Sequence, residues 1–288
     1  MSIVDAIQRA KQISHDKSAA APMLDAQVAE TVTRNAATTR LTSAGQPAAA
    51  MRVKFDAVPY DAAVCTQRHV ILPGVDDRML QAGAPSYRMM RTRILQRCRT
   101  NGWSTLAITS PGPGEGKSVT ALNLAINLAR EGNYEVFLLD LDLRNPSICR
   151  YLGVTPKQEI TGFFRGELSA ESMFFSLDGI NNLSLAGGAQ ATSHASELLA
   201  TGHLEDLFAY IRSISGNPLI LIDLPPVVNT DDALIVAPRV DATLLVVSEG
   251  STTREGLERA AGLLADYRVA GIVLNQSSES IGSGYYGA

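Results

Sequence analysis

The sequence is poor in the residues that build covalent or metal-held frameworks. Its three cysteines, Cys65, Cys98 and Cys149, are odd in number, scattered and free of CxxC spacing. That pattern supports neither a disulfide network nor a thiolate zinc site and makes a reducing compartment the default. The four histidines, His15, His69, His194 and His203, lack metal-ligand spacing as well. Basic residues do not predominate: 25 Lys and Arg face 29 Asp and Glu, for a net charge of −4. No global field therefore draws the protein onto nucleic acid, and no nucleic-acid partner is expected. The opening stretch MSIVDAIQRAKQ has no apolar core of a secretory signal. No apolar run approaches the roughly 20 residues of a membrane-spanning helix. A cytoplasmic location is the expectation, with any membrane association supplied by something else.

What the sequence does have is enough apolar character, 45% over 288 residues, for one large α/β domain with an appendage. Residues 1–84 are rich in Ala, Thr, Gln and Ser and are expected to form an N-terminal helix and flexible linker. Ile3, Ile7 and Ala10 recur at helical spacing, whereas Ser18 to Ala50 cannot bury enough surface to offset the entropy of ordering. From Ser86 the texture changes. Ser86 is a candidate cap for a helix striped by Tyr87, Met90, Ile94, Leu95 and Cys98, with Arg88, Arg91, Arg93, Arg97 and Arg99 filling most of its remainder. Five apolar runs follow, at 104–110, 135–140, 218–223, 243–247 and 270–275. Each is apolar on nearly every residue, as a parallel strand covered on both faces requires. Helical segments at 118–130, 196–214 and 252–267 separate them, the last with Thr252 and Glu255 at capping-box spacing. The alternation predicts a doubly wound, mostly parallel sheet with helices on both faces over residues 85–276. Residues 277–288 read as a flexible tail bearing Tyr285 and Tyr286.

The first strand runs into Pro111-Gly112-Pro113-Gly114-Glu115-Gly116-Lys117-Ser118 and then a helix. Glycines let the backbone approach an anion without a Cβ clash, and the helix N-terminus adds a favourable dipole. Lys117 is the candidate for the β- and γ-phosphates, and the Ser118 hydroxyl is a candidate Mg²⁺ ligand. Gly112, Gly114, Glu115, Gly116, Lys117, Ser118 and Val119 form the expected nucleotide-binding set, although Pro111 stands where a Walker A loop has its first glycine. Lys117 also occupies a position at which a GxGxxG dinucleotide loop needs glycine.

Two further strands end in carboxylates. Asp140 and Asp142 project to one side if the chain stays extended, and two neighbouring carboxylates want a cation. Arg144, two residues on, could meet a carboxylate or a phosphate. Asp223, after four apolar residues and before Pro225-Pro226, has the form of a Walker B carboxylate, which reaches the magnesium of MgATP. Strand carboxyl ends share one crevice in such sheets, so these groups are expected to converge.

PGEGKS (113–118), DLDLR (140–144) and DLPP (223–226), taken together, resemble the bacterial tyrosine kinases of exopolysaccharide and capsule systems, closest to the exosortase-associated autokinases. The resemblance covers residues 86 to about 276 and implies the P-loop NTPase fold. It implies transfer of phosphate from MgATP to tyrosine, with Lys117, Asp140, Asp142 and Asp223 as the catalytic set. Ser118, Asp140 and Asp223 would hold Mg²⁺, and Asp140, followed by Asp142, would accept the phenolic proton. Asn275 resembles the family's adenine-contacting asparagine, and Arg144 is placed with the nucleotide ligands. Tyr285 and Tyr286 are the expected phosphorylation sites, modified in trans. The implied partners are a membrane polysaccharide co-polymerase or adaptor that recruits the chain to the inner membrane face, and sugar-nucleotide or glycosyltransferase enzymes as substrates. A homo-oligomer is also implied, but Pro85 stands where the family's ExxRxxR pattern has glutamate. A MinD/ParA-like ATPase switch and a nucleotide-binding regulatory scaffold are the alternatives. The switch group carries an extra lysine at the position of Gly112.

Overall fold

The computed structural model describes residues 54–73 and 78–277. The expected N-terminal helix, the linker from Ser18 to Ala50 and the two tail tyrosines lie outside them. The described chain forms eight strands, β1 (Ala57–Val58), β2 (Thr105–Thr109), β3 (Glu135–Asp140), β4 (Phe175–Leu177), β5 (Ile180–Ala186), β6 (Pro218–Asp223), β7 (Ala242–Ser248) and β8 (Val269–Asn275). Between them lie α1 (Ala62–Gln67), α2 (Arg78–Asn101), α3 (Lys117–Ala129), α4 (Ile148–Leu152), α5 (Ile160–Phe164), α6 (Ala170–Met173), α7 (Ala195–Leu199), α8 (His203–Ile214), α9 (Asp232–Val236) and α10 (Arg254–Leu263). The sheet runs β1-β4-β5-β3-β6-β2-β7-β8, and every pairing is parallel except β4 with β5.

Strand alternation divides the core between two faces, as the period of two dictates. Leu106, Ile108, Leu138, Leu221 and Val246 pack with α2 and α3 on one side. Ala107, Leu139, Ile222, Leu245 and Val247 pack with α8 and α10 on the other. The four central strands β3, β6, β2 and β7 are buried on both faces, which is why each sequence is a nearly unbroken apolar run.

Several expectations need correction. Helix α2 begins before Ser86, so Ser86 is interior rather than a cap and Pro85 lies within the helix. The domain boundary expected after residue 84 therefore falls inside α2. Residues 54–73 also join the domain: β1 pairs with β4, Asp61 caps α1 by accepting from Ala63 N and Val64 N, and Cys65, Val70 and Leu72 are buried in the core. The segment 196–214 is two helices interrupted near Gly202. The cap of α10 is Thr253, which accepts from Gly256 N at 3.0 Å. Thr252 is engaged elsewhere.

Candidate active site

The carboxyl ends of three neighbouring strands, β3, β6 and β2, carry the three motifs. Asp140 and Asp223 are register partners across β3 and β6, and Ile108 of β2 pairs with Asp223 from the other side. Leu141 N donates to Asp223 O at 2.9 Å, and Thr109 Oγ1 donates to Pro225 O at 2.7 Å, so the strand exits are tied together. The loop between β2 and α3 lies above them. Gly114 and Gly116 adopt φ of +77° and +86°, a left-handed backbone that favours glycine. Gly116 precedes α3 with no side-chain cap, which leaves the helix's first amides for an anion.

Lys117 binds the carboxylates into one cluster. Its Nζ lies 2.6 Å from Asp142 Oδ2, 3.7 Å from Asp223 Oδ1 and 3.1 Å from Ser118 Oγ. Burial alone would lower the lysine's proton affinity, but the charges of Asp223, Asp142 and Asp140 raise it above the ordinary value. Asp140 is fully buried, and its Oδ2 accepts from Ser147 N at 2.8 Å and Ile148 N at 2.9 Å. Burial and the neighbouring Asp223 charge raise its pKa despite those two amides. Burial likewise raises that of Asp223, against the pull of Lys117. Asp142 Oδ1 accepts from Asn145 N at 3.1 Å, closing a turn at which β3 has already ended.

That turn decides the fate of Arg144. The strand does not continue past Asp140, so the guanidinium leaves the cluster. It pairs in bidentate fashion with the fully buried Asp232 at 2.7 and 3.1 Å and donates to Ser196 Oγ at 2.6 Å. Asn275, expected at adenine, donates from Nδ2 to Glu115 O at 3.0 Å. A Cβ on Gly116 would sit 2.0 Å from that same Nδ2 and would displace the Asn275 side chain, and the φ of +86° itself favours glycine there. Val119 is half-buried in the first turn of α3.

The donor set suits a magnesium-bearing nucleotide. Asp140 Oδ1 and both oxygens of Asp223 are buried without a hydrogen-bond partner, which is costly unless a cation satisfies them. Three carboxylates against one lysine leave a local excess of negative charge. Among the described residues no three His, Cys, Asp or Glu side chains form a ready-made metal cage. Magnesium is normally held by one or two carboxylates with phosphate and water completing the shell, so this sparse protein set fits it.

Comparison with known proteins places the chain. Residues 103–281 match the ParA family, described as NUBPL iron-transfer P-loop NTPase. The tyrosine-protein kinase YwqD of Bacillus subtilis (strain 168) is 31% identical over 207 residues, covering 70% of this chain and 85% of that protein. The tyrosine-protein kinase CpsD of Streptococcus pneumoniae serotype 4 is 30% identical over 181 residues, covering 61% of this chain and 77% of that protein. Among solved structures, the VpsO kinase domain superposes with a TM-score of 0.61 at 27% identity, covering 70% of this chain and 98% of that one.

Proposed function

Because this chain belongs to the ParA-type P-loop NTPases and, among them, to the bacterial tyrosine-protein kinases, we propose that it is an MgATP-dependent autokinase acting in exopolysaccharide or capsule biosynthesis. The observation that carries this reading is the convergence of Lys117, Ser118, Asp140, Asp142 and Asp223 at three adjacent strand ends, with three buried carboxylate oxygens lacking a hydrogen bond. The glycine loop and the first turn of α3 would cradle the phosphates, with Lys117 as their cation. Ser118, Asp140 and Asp223 would hold the magnesium, which neutralises charge on the transferring phosphoryl group.

A tyrosine hydroxyl is a poor nucleophile at neutral pH, with a pKa near 10. A carboxylate that accepts its proton as the bond to phosphorus forms would remove that difficulty. Two carboxylates are candidates. Asp140 commits Oδ2 to two backbone amides, and if it also held the cation it would have no oxygen left for a proton. Asp142, held here by Lys117, would be released if the lysine turned to the phosphates, which makes it the preferred proton acceptor.

The acceptor tyrosines in this reading are Tyr285 and Tyr286, phosphorylated in trans by a neighbouring copy. A membrane-bound adaptor would bring the chain to the inner membrane face, since no helix among the described residues is long and apolar enough to cross a bilayer. The test is a mixing assay. Protein carrying Lys117→Ala is incubated with MgATP and with protein carrying Tyr285→Phe and Tyr286→Phe, with and without the adaptor's cytosolic segment. Phosphotyrosine on the lysine variant's tail is expected. ATP consumption without phosphotyrosine would favour an ATPase switch instead.

A further inference from the structure

Six residues, 111–116, form the phosphate loop, and five of them are glycine or proline. Such a segment offers its surroundings almost no side chain to grip, and glycine gives up the most conformational entropy on ordering. The exception is Glu115. It is buried at 4% exposure, an unusual state for a glutamate. Oε2 accepts from Gly112 N at 3.0 Å, closing the loop on itself. Oε1 accepts from Thr252 Oγ1 at 2.6 Å, across 137 positions of sequence.

Thr252 is itself fixed. Its hydroxyl oxygen accepts from Ser248 N at 2.8 Å, and its own N–H donates to Ser248 O at 3.1 Å. The threonine thus rides on the end of β7, a strand buried throughout. With the Ser248 amide occupying one lone pair, the hydroxyl proton is free to point at Glu115. The same side of the loop is held from β8, where Asn275 Nδ2 donates to Glu115 O and Gln276 Nε2 donates to Gly114 O at 3.3 Å.

We propose that Glu115 and Thr252 are positioning residues for nucleotide binding: the Thr252 hydroxyl anchors the Glu115 carboxylate to the end of β7 and sets the backbone of the phosphate loop between its two left-handed glycines. Neither side chain touches substrate in this role. Fixing the Glu115 side chain on the protein side of the loop fixes the direction of the adjoining peptides, whose amides receive the phosphates. The inference rests on the nucleotide-binding reading of the loop. It predicts loss of affinity for ground state and transition state alike, hence an effect on KM rather than kcat.

The experiment compares full-length wild type with Thr252→Val, Thr252→Ser, Glu115→Ala, Glu115→Gln and the double variant Glu115→Ala/Thr252→Val. MgATP affinity is measured by calorimetry and KM and kcat by phosphotyrosine formation. A hydrogen bond to a charged group contributes enough that Thr252→Val should weaken MgATP binding about tenfold, with kcat within about twofold. Thr252→Ser, which keeps the hydroxyl, should bind as wild type does, and Glu115→Gln should recover most of what Glu115→Ala loses. In the double variant the two losses should not add, because both break one contact. Thr252→Val binding within about twofold of wild type would overturn the proposal, as would equal weakening by the valine and serine variants. Simple addition of the two losses would do the same. Wild type that binds no MgATP would sink the nucleotide reading as well, and is thereby distinguished from failure of the anchor alone.

Discussion

Lys117→Met tests whether one lysine holds the buried carboxylates together in the absence of nucleotide. The substitution keeps an unbranched apolar stem of similar length and removes only the charge. It leaves Asp140, Asp142 and Asp223, all at most 3% exposed, with no cation among them. Removing one partner of a buried ion pair typically costs 3–5 kcal/mol, because the remaining charge has lost both water and partner. For a domain of this size that is a melting point lower by on the order of 10 °C. The assay is thermal unfolding in EDTA, repeated with Mg²⁺, which should restore part of the loss by binding the folded state.

The pH dependence has a definite sign. Asp140 and Asp223 have folded-state pKa values above the ordinary 3.8. The folded protein therefore holds protons that the unfolded chain has released. The resulting stabilisation is complete below that value and is lost as pH rises through the folded-state pKa values. Without Lys117 those values rise further, so the variant's deficit should be small in acid and grow toward alkaline pH. A variant that melts within a degree or two of wild type in EDTA at neutral pH, or a deficit that shrinks as pH rises, would refute the reasoning.

Three more outcomes follow from other parts of the structure. Gly116→Ala should abolish MgATP binding in calorimetry, since its Cβ would meet Asn275 Nδ2 at 2.0 Å on a backbone with φ of +86°. Arg144→Ala should destabilise the protein by about 3 kcal/mol in urea unfolding, by stranding the buried Asp232; Arg144→Lys should recover only part, because a lysine cannot reproduce the bidentate fork. Pro85→Ala should raise stability by about 1–3 kcal/mol in the same assay, since it restores a helical amide within α2.

The central sheet was legible because parallel strands buried on both faces leave continuous apolar runs, as β2, β3, β6 and β7 do; the edge strand β8 is only partly buried but also reads as an apolar run. The other three strands carry no such mark. β1 has two residues, β4 has three, and β5 reads Ile-Asn-Asn-Leu-Ser-Leu-Ala with polar residues at several positions. Their placement depends on long-range pairing that local pattern does not encode. Lys117, Asp140, Asp142 and Asp223 were legible for a related reason. Each lies at the carboxyl end of a recognisable strand or just beyond a glycine loop, and the topology of such sheets brings those ends together. The Glu115–Thr252 contact and the Arg144–Asp232 pair were not, because the two residues of each pair lie 137 and 88 positions apart and Thr252 and Asp232 belong to no motif. Spacing alone suggests a capping box at Thr252 and Glu255. The structure gives the cap to Thr253 and turns Thr252 toward the loop. A single-residue ambiguity in a Ser-Thr-Thr run concealed the link between β7 and the glycine loop.

The most direct measurement is tandem mass spectrometry of the tail peptide after incubation with MgATP, for wild type and for folded Asp142→Asn that still binds MgATP. Phosphate on Tyr285 or Tyr286 in wild type and none in the variant is the predicted result. Equal phosphorylation in both, or hydrolysis of ATP by wild type with both tyrosines unmodified, would contradict it.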